Sequence, residues 1–239
     1  MIQRFLAVLF LAALTVAAAK HKPRVLVFSK TGGYRHSMIG PGKLAIMAMG
    51  RENGFDVDTT EDSTVFTDAN LKKYDAIVFL STTGNVLDDA EQDAMQRFIE
   101  SGKGFVGVHA ATDTEYGWPW YGKLVGAYFV KHPAQQQATI HVVDSTDIST
   151  RHLPTTWSRF DEWYNFRDIQ PDLHVLLTID EHSYTGGSNG NFHPMAWRHS
   201  YDGGRAFYTE LGHTEESWKD PLYLKHVLGG IKYALGEAK

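Results

Sequence analysis

Apolar and polar positions in the first hundred residues follow two rhythms. RVLVFS (24–29) and AIVFLS (76–81) are short, continuous apolar runs bounded by turn residues, the pattern of strands buried on both faces. FDVDTTED, from Phe55, reads as another strand, and GFVGVH (104–109) as a fourth. Between them the period lengthens. Leu44, Met47 and Ala48 fall at helical spacing in a stretch that ends near Gly54. LDDAEQDAMQRFIESG is the clearer helix: Asp88 can cap it and Glu91 lies three residues on. Ala94, Met95, Phe98 and Ile99 form one face, and Gly102 closes it. Strands alternating with helices predict right-handed crossovers and a parallel sheet.

The second half is less regular. ATIHVVD, DEWYNF, HVLLTI, PMAWRHS and GRAFYTEL all read as strands, and SYDGGR as a hairpin turn between the last two. A closing helix starts at Pro221 and buries Leu224, Val227, Leu228, Ile231 and Leu235. The expected fold is therefore α/β: a mostly parallel sheet with flanking helices, and extra β-hairpins in the C-terminal half.

Composition changes this picture at one end only. FLAVLFLAALTV follows Arg4 and runs into Ala17, Ala18 and Ala19, the pattern of a cleavable secretory signal. The apolar stretch from Phe5 to Ala19 covers 15 residues, short of the ~20 a membrane-spanning helix needs. The expectation is a signal peptide over 1–19, one domain over 20–239, a periplasmic or secreted protein and no stable membrane insertion. Cleavage removes one base and leaves 22 basic against 28 acidic residues, net −6. No basic patch suggests nucleic acid. The chain has no cysteine, which excludes disulfides, thiolate metal sites and cysteine nucleophiles.

Ligands of open parallel sheets bind at the carboxyl ends of the strands. Tyr34, Arg35 and His36 follow the first strand; Thr82, Thr83 and Asn85 the third; His109, Thr112, Asp113 and Glu115 the fourth. His132, Asp161, Glu162, His193 and His213 come later, so five of the twelve histidines fall at such ends. Tyr116, Trp118, Trp120, Tyr121, Trp163, Tyr164 and Trp197 interleave with them; beside polar groups, such rings suit the C–H face of a sugar. GKGFVG matches G-x-G-x-x-G but enters a strand from a helix, the reverse of a dinucleotide site, and no Walker A, HExxH or G-x-S-x-G motif is present.

GVHAATDTEYGWPWYGKLVGAYFVKHP, DEWYNF, HPMAW and GRAFYTELGH together resemble the ThuA-like, trehalose-utilisation family, from about Arg24 to Leu235. The resemblance implies a flavodoxin-like sheet of the class I glutamine amidotransferase-like kind. Where amidotransferases carry a nucleophilic cysteine at the strand-to-helix elbow, this chain has His109, so thioester chemistry is excluded. It also implies a sugar substrate, a 3-keto-glycoside or related keto-sugar, handled by lyase, isomerase or hydrolase chemistry. A ketone acidifies the neighbouring C–H, and histidine with a tuned carboxylate suits moving that proton.

The expected catalytic groups are His109, Glu115, Glu162 and His213, with Glu115 orienting His109 or acting as its acid partner. His36, Asp113, Tyr116, Trp118, Trp120, Trp163 and Trp197 are expected to contact substrate. If a divalent metal such as zinc or manganese takes part, its ligands come from His109, His132, Glu162, His193 and His213. Two other readings stay open: a carbohydrate-binding protein without turnover, and a metal-dependent glycoside or ester hydrolase acting on unoxidised substrates. The pattern leaves the oligomeric state undetermined.

Overall fold

A computed structural model describes residues 21–237; the expected signal segment, 1–19, lies outside them. The four apolar runs of the first half become β1 (Arg24–Phe28), β2 (Asp56–Thr60), β3 (Ala76–Leu80) and β4 (Gly104–Val108). Between them lie α1 (Ile39–Asn53), the short α2 (Asp68–Leu71) and α3 (Asp89–Glu100). The α3 start is as expected: Asp88 accepts from the Glu91 N–H and the Glu91 side chain returns the bond, a full capping box. α1 ends as expected at a left-handed Gly54, but its buried face is Ile39, Gly42, Ile46, Met49 and Gly50. Leu44, expected inside, is largely exposed. The two glycines turn the face, because the neighbouring chain packs too closely there for a larger side chain.

The second half adds α4 (Pro119–Val125), β5 (Tyr128–Lys131), β6 (Gln136–Val142), β7 (Thr156–Asp161), β8 (Asn165–Arg167), β9 (His174–Ile179), β10 (His193–Tyr201), β11 (Gly204–Thr209) and α5 (Pro221–Ala234). DEWYNF is not one strand. Asp161 ends β7, Asn165 begins β8, and Glu162–Tyr164 between them are a buried crossing. Asp202 and Gly203, both at positive φ, make the expected β10–β11 turn.

Nine strands form one sheet in the order β2-β1-β3-β4-β11-β10-β9-β6-β7, and β5 pairs with β8 beside it. From β2 to β11 every pairing is parallel; from β11 to β7 every pairing is antiparallel. The α/β class with flanking helices is thus as expected, with the parallel half as its centre. The core runs through both halves, from Val25, Phe79 and Phe105 to Leu177, Trp197 and Phe207, all essentially inaccessible. The outermost strand curls back: Arg159 of β7 bonds Ser217 just ahead of α5 and stacks over Tyr223 inside it. That curl lets a residue at the far edge of the sheet reach its centre. No helix among the described residues is long and apolar enough to cross a membrane.

Candidate metal centre

β4 delivers His109 at its carboxyl end, where the chain turns into a single 3-10 stretch, His109–Asp113. His109 has φ +51°, a left-handed conformation that costs a non-glycine residue about 1 kcal/mol or more. The turn projects the imidazole above the sheet. Its Nδ1 lies 2.7 Å from the Glu210 carbonyl oxygen, which only accepts, so Nδ1 carries the proton. Nε2 faces His213 Nδ1 at 3.1 Å and Glu162 Oε2 at 3.4 Å.

The partners come from three further segments. His36 stands in the loop after β1. Glu162 belongs to the crossing after β7. His213 follows β11 through Gly212, whose φ of +109° and contact with the Tyr223 hydroxyl leave no room for a Cβ. One donor atom each from His36, His109, Glu162 and His213 lie within 4.8 Å of one another.

Asp161 fixes two of these ligands. Its fully buried carboxylate accepts from the backbone N–H groups of Glu162 and His213, both at 3.1 Å, and of Gly212 at 3.0 Å. Arg159 Nη2 and Ser217 Oγ also donate to it, at 3.0 and 3.2 Å.

The electrostatics favour a neutral His36 and an ionised Glu162. Burial, then the neighbouring His109 and His213, push the His36 pKa down to about 3. Its buried Nδ1 has no hydrogen-bond partner. Burial raises the Glu162 pKa, but bonds from His109 and His213 outweigh it and hold the group well below the usual carboxylate range. Three imidazoles and one carboxylate, with an orphaned nitrogen among them, form a donor set that suits zinc, manganese or a similar divalent ion. Beneath them Glu210 is sealed in: Oε1 accepts from the Tyr164 N–H, Oε2 has no partner, and burial, then Asp161, pushes the carboxyl far up toward its neutral form.

The group opens into a hollow of about 410 Å³ lined by Tyr34, His36, Asp113, Phe129, His132, Gln135, Glu162, Tyr164 and His213. His109, Glu162 and His213 thus meet as expected, and His36, expected to touch substrate, joins them. His132 stands at the rim, half-exposed, with Nδ1 3.2 Å from Glu162 Oε1. Asp113 is on the wall, and Tyr116 behind it donates to Asp113 Oδ1 at 2.6 Å.

Other expected site residues are placed elsewhere. The Glu115 carboxylate does not reach His109; it accepts from the Val86 and Leu87 N–H groups and from Gln92, and so pins the loop ahead of α3. Fully buried His193 bonds Glu181 and the Tyr164 carbonyl oxygen. Trp163 and Trp197 are core residues whose indoles donate to the Gln136 and Val125 carbonyls. Trp118 and Trp120 stack on each other, and Trp120 donates to Asp202 in the β10–β11 turn, at the opposite end of β11 from Glu210. The aromatic wall is instead Tyr34, Phe129 and Tyr164. Phe129 and Gln135 carry no distinguishing pattern in the sequence. Glu210 does: an acid at the buried end of GRAFYTEL.

A family model described as trehalose utilisation matches residues 24–234. The chain belongs to the ThuA family. Among solved structures, a ThuA-like protein from Bacteroides uniformis is 24% identical, with a TM-score of 0.78 over 92% of this chain and 94% of its own. A ThuA-like protein from Parabacteroides merdae is 18% identical, with a TM-score of 0.73 over 90% and 91%. A β-galactosidase from Bacillus circulans is 13% identical, with a TM-score of 0.58 over 90% of this chain but 31% of its own. At these identities the likeness is one of fold. No curated protein matches.

Proposed function

We propose that this ThuA-family protein is an exported, metal-assisted enzyme acting on a 3-keto-glycoside or related keto-sugar. The observation that carries the reading is the group formed by His36, His109, Glu162 and His213, gathered from four segments at the floor of a polar, aromatic-walled hollow. Three imidazoles and a carboxylate in contact, with the buried Nδ1 of His36 unpartnered, are costly to bury unless something is bound there. A divalent ion held by these four residues supplies a Lewis acid for a keto oxygen. The family description of trehalose utilisation supports a glycoside as the substrate class.

The chain's own residues account for binding and orientation. Tyr164 and Phe129, with ring centroids 4.1 Å apart, offer an apolar wall for the C–H face of a pyranose. Gln135, whose side-chain amide lies 2.7 Å from His213 Nε2, holds that ring and faces the hollow. His132 and Asp113 supply polar contacts for sugar hydroxyls. Export rests on the short apolar N-terminal run with its alanine end; an intact Met1 in the mass of mature protein from the native host would refute it.

The testing experiment incubates metal-analysed protein with a 3-keto-disaccharide and with its unoxidised parent, followed by product analysis. Conversion of the keto compound alone is the expected result. Cleavage of the unoxidised sugar would identify a plain hydrolase, and binding without product a carbohydrate-binding protein.

A further inference from the structure

We propose that Asp113 is the acid–base residue of this hollow, the group that takes a proton from the bound sugar and returns it to the departing oxygen, and that Tyr116 holds it for both tasks. The inference rests on the keto-sugar reading above. Four carboxyl groups lie in or under the site, and three are committed: Glu162 faces His109 and His213 through Oε2 and His132 through Oε1, Asp161 holds the backbone N–H groups of Glu162, Gly212 and His213, and Glu210 is sealed beneath. Asp113 alone stands on the wall of the hollow outside the metal-binding group.

Its surroundings serve both protonation states without movement. The Tyr116 hydroxyl lies 2.6 Å from Asp113 Oδ1 and 3.0 Å from the Phe129 carbonyl oxygen. The phenol has one proton and two neighbours that can accept it. When Asp113 is ionised, the phenol donates to the carboxylate, and the short distance suits such a charge-assisted bond. When Asp113 is protonated, it donates to the phenol oxygen while the phenol donates to Phe129. Neither state leaves Asp113 Oδ1 without a partner. Burial raises the Asp113 carboxyl above its ordinary range, against the pull of the Tyr116 bond. Burial, then Asp113, raises the phenol, which therefore keeps its proton at neutral pH.

The backbone sets the distance. Asp113 closes the same 3-10 stretch that His109 opens, and its carbonyl oxygen is tied to the Gly84 N–H at 2.8 Å. The base and one member of the metal-binding group, His109, are therefore fixed on one short piece of chain.

The step balances without an oxidant or reductant. The Asp113 carboxylate takes the hydrogen from the carbon between the ketone and the anomeric centre, and the C–H pair becomes the C=C bond of an enolate. The ketone then re-forms, a double bond develops toward the anomeric carbon, and the anomeric C–O bond breaks with its electron pair going to the departing oxygen. That oxygen takes the proton from Asp113, giving an alcohol and an unsaturated keto-sugar.

The test uses full-length mature protein loaded with zinc or manganese and methyl 3-keto-α-glucopyranoside in D₂O, with C–H exchange and elimination followed by NMR. Wild type is expected to exchange or eliminate. Asp113→Asn is expected to be slower by about a hundredfold or more. Its metal content should stay within a few-fold of wild type. Tyr116→Phe, which keeps the ring and its packing, should fall between the two and guards against a first variant that does not fold. An active wild type with both variants within a few-fold of it would overturn the role of Asp113 and leave the keto-sugar reading standing. A metal-loaded wild type that neither exchanges nor eliminates would overturn both.

Discussion

The parallel and antiparallel halves of the sheet both contribute to the candidate centre, but by different routes. In the parallel half every strand ends on the same edge, so the loops after β1, β4 and β11 bring His36, His109 and His213 together by topology. In the antiparallel half strand ends alternate between edges, and β7 lies five places from β4 in the sheet order. Glu162 reaches His109 only because the outer strands curl and the Glu162–Tyr164 crossing returns over the strand ends, held by Asp161 and Glu210. One half places its ligands by the regularity of the fold. The other places Glu162 with a buried polar network, and that network should be the more fragile part.

The largest expected effect comes from removing a ligand on either side of this divide. His109→Gln, from the parallel half, and Glu162→Gln, from the crossing, should each weaken zinc or manganese binding by about a hundredfold or more, beyond the 10–100-fold typical of supporting residues. Competition with a chromogenic chelator measures it. An effect in one variant only would break the claim that the two halves share one centre.

Next comes the network that carries the second half. Asp161→Asn replaces an acceptor with a donor among five N–H and O–H groups. Metal affinity should fall by about 10–100-fold, with a lower Tm. Because Glu162 and His213 themselves remain, the loss should be smaller than for a missing ligand; unchanged affinity beside a lowered Tm would make Asp161 purely structural.

Glu115 supplies the contrast. It lies six residues from His109 in sequence, yet its partners all belong to the loop ahead of α3 and to the first turn of that helix. Glu115→Ala should cost about 1–3 kcal/mol by leaving buried N–H groups unpaired, seen in denaturant unfolding, while metal affinity stays as in wild type.

The smallest effect lies outside the site. Fully buried His226 bonds the Ser149 carbonyl oxygen and Thr209, and burial pushes its pKa from 6.5 down to about 4. The folded protein keeps it neutral while the unfolded chain takes up a proton below about pH 6.5, so its contribution is complete above that pH and drains away as pH falls toward about 4. His226→Asn should flatten this part of the stability–pH curve without altering the pH dependence of metal binding.

The same division explains what the sequence makes legible. Continuous apolar runs and a capped amphipathic helix identify the parallel half, down to the Asp88–Glu91 box. His109 and His213 stand out because they end apolar strands whose direction the fold class fixes. Trp163 and Trp197 mislead because a buried indole and a sugar-stacking indole look alike in sequence; only their hydrogen bonds to Gln136 and Val125 separate them. DEWYNF misleads for a related reason. Its apolar and polar residues suit a strand, but its centre crosses between strands, where burial comes from tertiary contacts rather than from a pleat. Glu115 fails as a site residue because sequence proximity to His109 says nothing about direction once the chain has turned at positive φ.

The central claim is that four side chains from both halves form one metal site. Its most direct test is calorimetric titration of chelator-stripped protein with Zn²⁺, in parallel with His109→Gln and Glu162→Gln. The account predicts saturation at one ion per chain for wild type and a clear loss of affinity in both variants. No saturable binding to folded wild type, or binding that both variants retain unchanged, would contradict it.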